Sequence, residues 1–493
     1  MDGFSTQSLK EIHPIFNFPQ LNIFSIDNVF TNVDDKIKTK SYFFLISNAG
    51  VFLLKGKRFR QSTILIDLIS FFDLVAIKIS NGKLYLFSNK TTTNISAQNA
   101  YSIGQRICHI RNSLFPLEFI SFSIETTFSG PPFDFSNDLL DYKTDNILLD
   151  RILSFFLHYF EQNQIEKFPK FQFHLSDYID HETLFVTDEN SKNPIIQSVL
   201  DAIAFDDSIK VIVFNSINLQ DQIHHSNLIY KFNKIIQKVV YEKVVFETKG
   251  SADIFALLHS PHLFHPIKFR FSECLFTDIQ FFNTLSLLNT QIHSISFDRC
   301  TFRSEVDHLF GTFNQNQTFR SLRKISIDSL NIDFNMEKLF RYHHLRNSVE
   351  KLVLSQVNTD SSAIIEYALS TKSNLKSLAI INNDFLYPIQ KIQSINSPIF
   401  LNLTLQSQTT CYSSLNSLLQ CITQPNIVIT RLNLSRLKMP TNEFDNFIQN
   451  LSKFAIPHLK SFIFDDNPLN SKQLKSFADF LNRQKKLILL SVN

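Results

Sequence analysis

From residue 209 onward the chain repeats one phrase: apolar, two variable positions, apolar, one variable position, apolar. It reads Ile209-Ile212-Phe214, Tyr241-Val244-Phe246, Pro266-Phe269-Phe271, Ile292-Ile295-Phe297, Leu322-Ile325-Ile327 and Val349-Leu352-Leu354. It continues as Leu375-Leu378-Ile380, Phe400-Leu403-Leu405, Ile429-Leu432-Leu434, Leu459-Phe462-Phe464 and Leu487-Leu490-Val492. Its middle residues lie 25 to 32 positions apart, a period that belongs to stacked repeats. Apolar residues two apart point to the same face of a short strand. Between phrases come helix-start residues: Ser304 opens SEVDHLFGTF, Asn335 opens NMEKLFRYHHL, Thr441 precedes NEFDNFIQNLSKF and Ser471 opens SKQLKSFADFLN. Their side chains accept from the unpaired N–H groups of a first helical turn. Phe444, Ile448 and Leu451 then follow at helical spacing.

A strand and a helix in each period resemble the ribonuclease-inhibitor type of leucine-rich repeat, with Phe and Ile often in place of Leu. That resemblance implies an α/β horseshoe, with a parallel sheet inside and helices outside. It also accounts for Cys274 and Cys300, each five residues past its middle position, in the slot that Asn383 and Asn467 fill elsewhere. Such repeats place a core-facing Asn or Cys there. Five cysteines without a C-x-x-C pair argue against both a disulfide framework and a zinc site.

No phrase occurs before about residue 165. Strand-like runs occupy Leu21–Phe30, Ser41–Ser47, Val51–Leu54, Ser62–Ile69, Leu74–Ser80 and Lys83–Ser88, with turns at Asn48-Ala49-Gly50 and Asn81-Gly82. Ala97–Leu114 follows, with Ile103, Ile107, Ile110 and Leu114 on one helical face. Antiparallel strands closed by one helix predict a small pleckstrin-homology-like barrel over 1–116. Ser129-Gly130-Pro131-Pro132 and an Asp-rich stretch mark 117–145 as a linker. Residues 146–205 hold an amphipathic stretch containing LLDRILSFFLHYF and an irregular first repeat; the stretch is expected to cap the array, which spans 206–493.

At this point the order of parts resembles the N-terminal half of the CARMIL family of actin regulators. The closest local likenesses are SYFFLISNAGVFLLKGKRF in the barrel and FHLSDYIDHETL ahead of the first full repeat. The resemblance implies a barrel that binds acidic membranes and repeats that act as an interaction platform. In that family capping-protein binding resides in a basic segment far beyond the repeats, so the resemblance carries no such activity to residues 1–493. The last phrase is expected either to fray over a capping helix Ser471–Arg483 or to pair with another chain, in a monomer with an association-prone end.

Charge adds two candidate surfaces. Residues 31–60 carry Lys36, Lys38, Lys40, Lys55, Lys57, Arg58 and Arg60 against Asp34 and Asp35, a net of +5 in a chain of net +3. Such a cluster near strand-connecting turns attracts anionic lipid, or is a solvated rim of strand ends. On the concave face the phrases place Lys243, Lys268, Lys324, Lys351 and Arg431 ahead of the core pair, with Arg270 between. Glu247, Asp298, Asp328 and Asp465 come after it. Either neighbouring strands pair these charges among themselves, or a protein ligand of both signs reads them.

Candidate chemistry is thin. The Gly50 to Gly56-Lys57 stretch departs from a phosphate loop in spacing, and Arg58 stands where a magnesium-binding hydroxyl belongs. His259, His262 and His265 are broken up by Pro261 and Pro266 and lack an acidic or Cys partner at ligand spacing. The pairs His224-His225 and His343-His344 form no ready chelate. With no Trp and no aromatic ladder among basic residues, nucleic acid is not an expected partner. No signal core opens the chain, and Tyr42–Leu54 is too short to span a bilayer. The expectation is a cytoplasmic, non-enzymatic scaffold at the membrane periphery, with no cofactor or small-molecule substrate. The alternative is a generic repeat protein whose barrel binds a peptide and no lipid.

Overall fold

The computed structural model describes residues 21–31, 40–56, 63–115, 123–126, 146–159, 174–191, 195–217, 235–246, 267–277, 292–303, 321–329, 343–357, 359, 361–370, 373–390 and 398–492. It is a mixed α/β structure whose contacts divide into two units, the first mainly residues 1–182 with 189–209, the second mainly 210–223 and 234–493.

The first unit holds β1 (Ile23–Thr31), β2 (Lys40–Ser47), β3 (Gly50–Gly56), β4 (Thr63–Ser70), β5 (Leu74–Ser80), β6 (Lys83–Ser88), β7 (Thr92–Ser96), β8 (Ser123–Thr126) and the two-residue β9 (Ile179–Asp180). One sheet runs β4-β3-β2-β1-β7-β6-β5-β8. Strands β1–β4 and β5–β7 are two antiparallel runs, joined by the pair Phe30↔Ser96. The expected strands are present, and two were not expected: β7, and β8, which lies in the linker stretch and pairs parallel with β5. Asn81 and Gly82 take φ of 50° and 73°, the double left-handed turn that a two-residue hairpin needs. Helix α1 (Ala100–Leu114) buries Ile103, Ile107, Ile110 and Leu114 as expected. Gly104 lets it approach β5, because a Cβ there would stand 2.6 Å from Ile79 Cδ1.

Helix α2 (Ile147–Tyr159) and helix α3 (Ile196–Ile203) belong to this unit. The described polar contacts of α2 run two ways: to the N-terminal sheet and α1, and, through Tyr159 to Asp201 and Arg151 to Phe205 O, to α3 and the residues just after it. Asp150 accepts from Asn48, Ser154 accepts from the Phe72 amide, and His158 Nδ1 meets Asp73 at 2.7 Å. Rings of Phe72, Phe115, Phe155 and Phe205 pack edge-on or stacked around it.

Burial pushes the Asp73 carboxyl up, but hydrogen bonds from His158 and Ser70 and the charges of His158 and Lys90 outweigh it, leaving the group below the usual aspartate range. A depressed folded-state value means stability that is present above about pH 4 and lost as pH falls through it. The melting-temperature gap between the parent and Asp73→Asn should therefore be full at pH 5 and close towards pH 2. A gap that widened on acidification would contradict this assignment.

The second unit contains β10 (Thr183–Thr187), β11 (Val211–Asn215), β12 (Lys238–Glu242), β13 (Val245–Phe246), β14 (Ile267–Ser272), β15 (Leu275–Phe276), β16 (Ile292–Asp298) and β17 (Thr301–Phe302). Then come β18 (Lys324–Asp328), β19 (Lys351–Ser355), β20 (Ser377–Phe385), β21 (Ile399–Thr410), β22 (Ile427–Asn433), β23 (Ser461–Ile463) and β24 (Leu489–Ser491). A parallel sheet runs from β10 through β11, β12, β14, β16 and β18 to β24 in chain order. Among the described residues, full helices follow β19, β21, β22 and β23: α4 (Ser361–Ala368), α5 (Tyr412–Ile422), α6 (Thr441–Leu451) and α7 (Ser471–Arg483). The stretches opened by Ser304 and Asn335 lie largely outside the described residues. The cap of α7 is Asn470, one residue before the expected Ser471, in a reciprocal box with Gln473.

Nine strands, β11, β12, β14, β16, β18, β19, β20, β22 and β23, carry a residue in left-handed conformation four past the middle core position: Ser216, Lys243, Glu273, Arg299, Ser329, Gln356, Asn382, Arg436 and Asp466, with φ between 49° and 59°. Where it is described, the next residue turns inward. There Cys274 Sγ reaches Tyr241 O at 3.3 Å and Cys300 Sγ reaches Phe271 O at 3.4 Å. Asn467 accepts from Leu437 N at 2.9 Å and donates to Leu434 O at 2.8 Å. Asn383 does the same between Val357 N and Leu354 O.

This periodicity corrects one phrase. Ile212 pairs with Val239 and Val239 with Phe269, so the second repeat strand is centred on Val239 and not on Val244. Ile236-Val239-Tyr241 and Tyr241-Val244-Phe246 both satisfy the phrase, five residues apart, and periodicity alone could not choose between them. Val245–Phe246 instead opens a second, three-stranded parallel sheet with β15 and β17. Two aromatic spines result. Phe214, Tyr241, Phe271 and Phe297 stack at 5.2, 5.4 and 5.3 Å, and Phe246, Phe276 and Phe302 at 4.8 and 4.6 Å. At the far edge β24 pairs in register with β23, so the last strand is not frayed, while Leu489 and Leu490 remain half exposed. Phe400 is also exposed; a register shift after Leu401 turns Leu401 inward in its place.

Candidate functional site

In-register parallel strands align their side chains in rows about 4.8 Å apart. The row just ahead of the core pair reads Lys238, Lys268, Ser294, Lys324 and Lys351 from β12 to β19. The row between the core positions reads Val240, Arg270, Ser296, Ser326 and Val353, and the last row Glu242, Ser272, Asp298, Asp328 and Ser355. A depression of about 380 Å³ opens on these rows between β12 and β18.

The acidic end is internally satisfied. Arg270 Nη2 meets Asp298 Oδ2 at 3.2 Å, Ser272 Oγ donates to the same oxygen, and Arg299 Nε meets Asp298 Oδ1 at 3.3 Å. Burial raises the Asp298 carboxyl, yet the bonds from Arg270, Arg299 and Ser272 hold it below the usual carboxylate range. Ion pairing therefore explains Asp298 and Arg270.

It does not explain the lysines. Among the described residues, Lys238, Lys268, Lys324 and Lys351 have no carboxylate partner, while their neighbours Arg323 and Lys376 pair with Glu350. Burial and then the charges of Lys351, Lys268 and Lys238 push the Lys324 ammonium below the usual lysine value. Like charges directly opposite one another weaken a sheet. Chemically, the arrangement offers ammonium and hydroxyl donors to an anion.

No family model and no curated protein matches this sequence.

Of the predicted face, Lys268, Lys324, Lys351, Arg270, Asp298 and Asp328 come together as expected. Arg431 stands in the same row as Lys351 but farther along, beyond Ser377 and Asn402, and Asp465 is tied to Ser491. Lys243 is a correction: it is the exposed left-handed residue of the turn after β12, and the strand position belongs to Lys238. The misplaced phrase hid Lys238; the recurrent turn spacing would have found it. Glu247 lies outside the described residues. So do Lys36, Lys38, Lys57, Arg58 and Arg60, whereas Lys40 opens β2 and half-buried Lys55 pairs with Tyr42. His259, His262 and His265 also lie outside them. Among the described residues no cluster of His, Cys, Asp and Glu has a metal-binding arrangement, and no helix is long and apolar enough to cross a membrane.

Proposed function

We propose that the chain is a non-enzymatic interaction scaffold in which a leucine-rich-repeat horseshoe binds an acidic protein segment on its sheet face. A pleckstrin-homology-like barrel joined to it contacts anionic membrane lipid, in keeping with a role in actin-cytoskeleton regulation at the cytoplasmic side. The observation that carries the reading is the row of four lysines without partners. Four unpaired ammonium groups in register cost stability, and a cost of this kind is expected where function requires it.

The lipid arm has its own support. Thr31 pairs with Lys40, Tyr42 with Lys55 and Gly56 with Thr63, so both connections that carry the basic cluster leave the sheet from the same end. Replacing Lys55, Lys57, Arg58 and Arg60 by Gln should abolish co-sedimentation with acidic liposomes, at about 1 kcal/mol per charge. Added salt should mimic the change. Unchanged binding would remove this arm.

For the repeat face, labelled poly-glutamate binding to the full chain is the test. Changing Lys238, Lys268, Lys324 and Lys351 to Gln should weaken it more than about tenfold, since each charge-assisted contact is worth over 1 kcal/mol. Lys243→Gln should leave it unchanged. Equal affinity of the quadruple variant and the parent would overturn the reading.

A further inference from the structure

We infer that the segment bound on this face carries a phosphoryl group, seated over Ser294 in the gap of the lysine row. The inference rests on the scaffold reading and adds the chemistry of the ligand. Lys268 and Lys324 lie on the strands either side of Ser294, about 10 Å apart at two strand spacings. Among the described residues, the hydroxyls of Ser294, Ser296 and Ser326 have no hydrogen-bond partner, and all three line the depression. Its floor thus offers three free hydroxyl donors and its sides the free ammonium groups of Lys238, Lys268 and Lys324, with Asp298 and Asp328 at its far end.

A carboxylate brings two oxygens and one charge to such a site. A phosphoryl group brings three acceptor oxygens and a charge of about −1.5 to −2 at neutral pH, which matches the donors better. The acidic row constrains the rest of the segment. Asp298 and Asp328 lie four residues along their strands from the lysine row, about 13 Å away at the rise of an extended chain. An extended segment lying along the strands would therefore set a basic residue about four positions from its phosphorylated residue. A nucleic-acid strand fits poorly, because its continuing phosphates would meet those carboxylates. The three rows between Lys238 and Lys351 also hold no aromatic ring on which bases could stack.

The test is fluorescence anisotropy of the full chain with a labelled peptide, Glu-Glu-phosphoserine-Ala-Ala-Ala-Lys, against the same peptide with Glu or Ser in place of phosphoserine. The phosphorylated form should bind at least about tenfold tighter than the Glu form, by one further charge-assisted contact. Its affinity should rise severalfold between pH 5 and 7, as a phosphoryl group with a second pKa of about 6 loses its proton. The Glu form should not change over that range. Lys268→Gln and Lys324→Gln should each remove most of the preference without lowering the melting temperature, because each relieves like-charge repulsion. Lys376→Gln, whose ammonium is 3.0 Å from Glu350, should keep it.

Equal affinity for the phosphoserine and Glu forms overturns the phosphoryl assignment while leaving the scaffold reading intact. So does loss of phosphopeptide binding where poly-glutamate still binds. A single-stranded oligonucleotide that binds tighter than the phosphopeptide, with the same dependence on Lys268, overturns it in favour of nucleic acid. Failure of poly-glutamate as well strikes the scaffold reading itself.

Discussion

Replacing Phe271 by alanine is expected to destabilise the repeat unit by about 3–5 kcal/mol, the usual cost of emptying a buried phenylalanine site. Phe271 is where the two aromatic spines meet. It stacks on Tyr241 and Phe297, and takes Phe246 and Phe276 edge-on at 5.7 and 5.5 Å. Each such ring pair adds about 0.5–1.5 kcal/mol beyond area burial, so the loss should fall at the upper end of the range. Phe271→Leu keeps most of the volume and should cost clearly less, because it forfeits ring geometry more than it opens a cavity. Phe400→Ala, at an exposed ring, should cost little. Denaturant titration of the three variants, with hydrogen exchange to locate the unfolding segment, checks the order. A Phe400 change as costly as the Phe271 change would contradict the placement of the spines.

A comparable loss is expected from Arg151→Met, this time confined to the N-terminal unit. The Arg151 guanidinium donates from Nε to Leu114 O at 2.7 Å and from Nη1 to Phe205 O at 2.6 Å, and it stands 3.8 Å from Asp206. It thereby ties α2 to the end of α1 and to the chain just after α3. Methionine fills the space but removes the donor from both carbonyls and the cation facing Asp206, which keeps its bonds from Ser208. Removing one member of a buried ion pair costs about 3–5 kcal/mol. Arg151→Lys keeps the charge but not the fork that reaches both carbonyls, so it should fall between. Hydrogen exchange of the full chain should show the protection of 100–114 and 147–159 falling while 427–463 is unchanged. Equal loss across both regions would mean that the two units unfold as one.

Much of this fold was legible because it repeats. Ten of the eleven phrases sit on strands of the parallel sheet, since two apolar residues flanking one exposed position is what a strand with one buried face requires. The eleventh failed where the chain offered the pattern twice, at Tyr241 and five residues earlier. There the deciding information was the left-handed turn residue, which no side-chain hydropathy reveals. Strand β7 was illegible for another reason: only Thr93 and Ile95 of Thr92–Ser96 are buried, too few to rise above a polar loop. The helix α2 was visible as amphipathic, but hydropathy cannot say which surface covers an apolar face. Its neighbours are chosen by polar contacts such as Asn48 to Asp150, from residues 102 apart.

Of the candidate site, the charge bands were legible and their difference was not. Composition along the phrase placed Lys268, Lys324 and Lys351 in one band and Asp298 and Asp328 in another. Whether those charges neutralise each other depends on which strands are neighbours and which carboxylate an arginine reaches first. Arg270 and Arg299 take Asp298, and the lysines are left over.

Carbodiimide cross-linking tests the central claim most directly, because it forms an amide only where a lysine ammonium lies against a carboxylate of the bound partner. With poly-glutamate bound to the full chain, peptide mapping should find cross-links concentrated at Lys238, Lys268, Lys324 and Lys351. They should be few at Lys243 and Lys376. Cross-links spread evenly over exposed lysines, or concentrated at Lys243, would contradict the assignment of this sheet face as the binding surface.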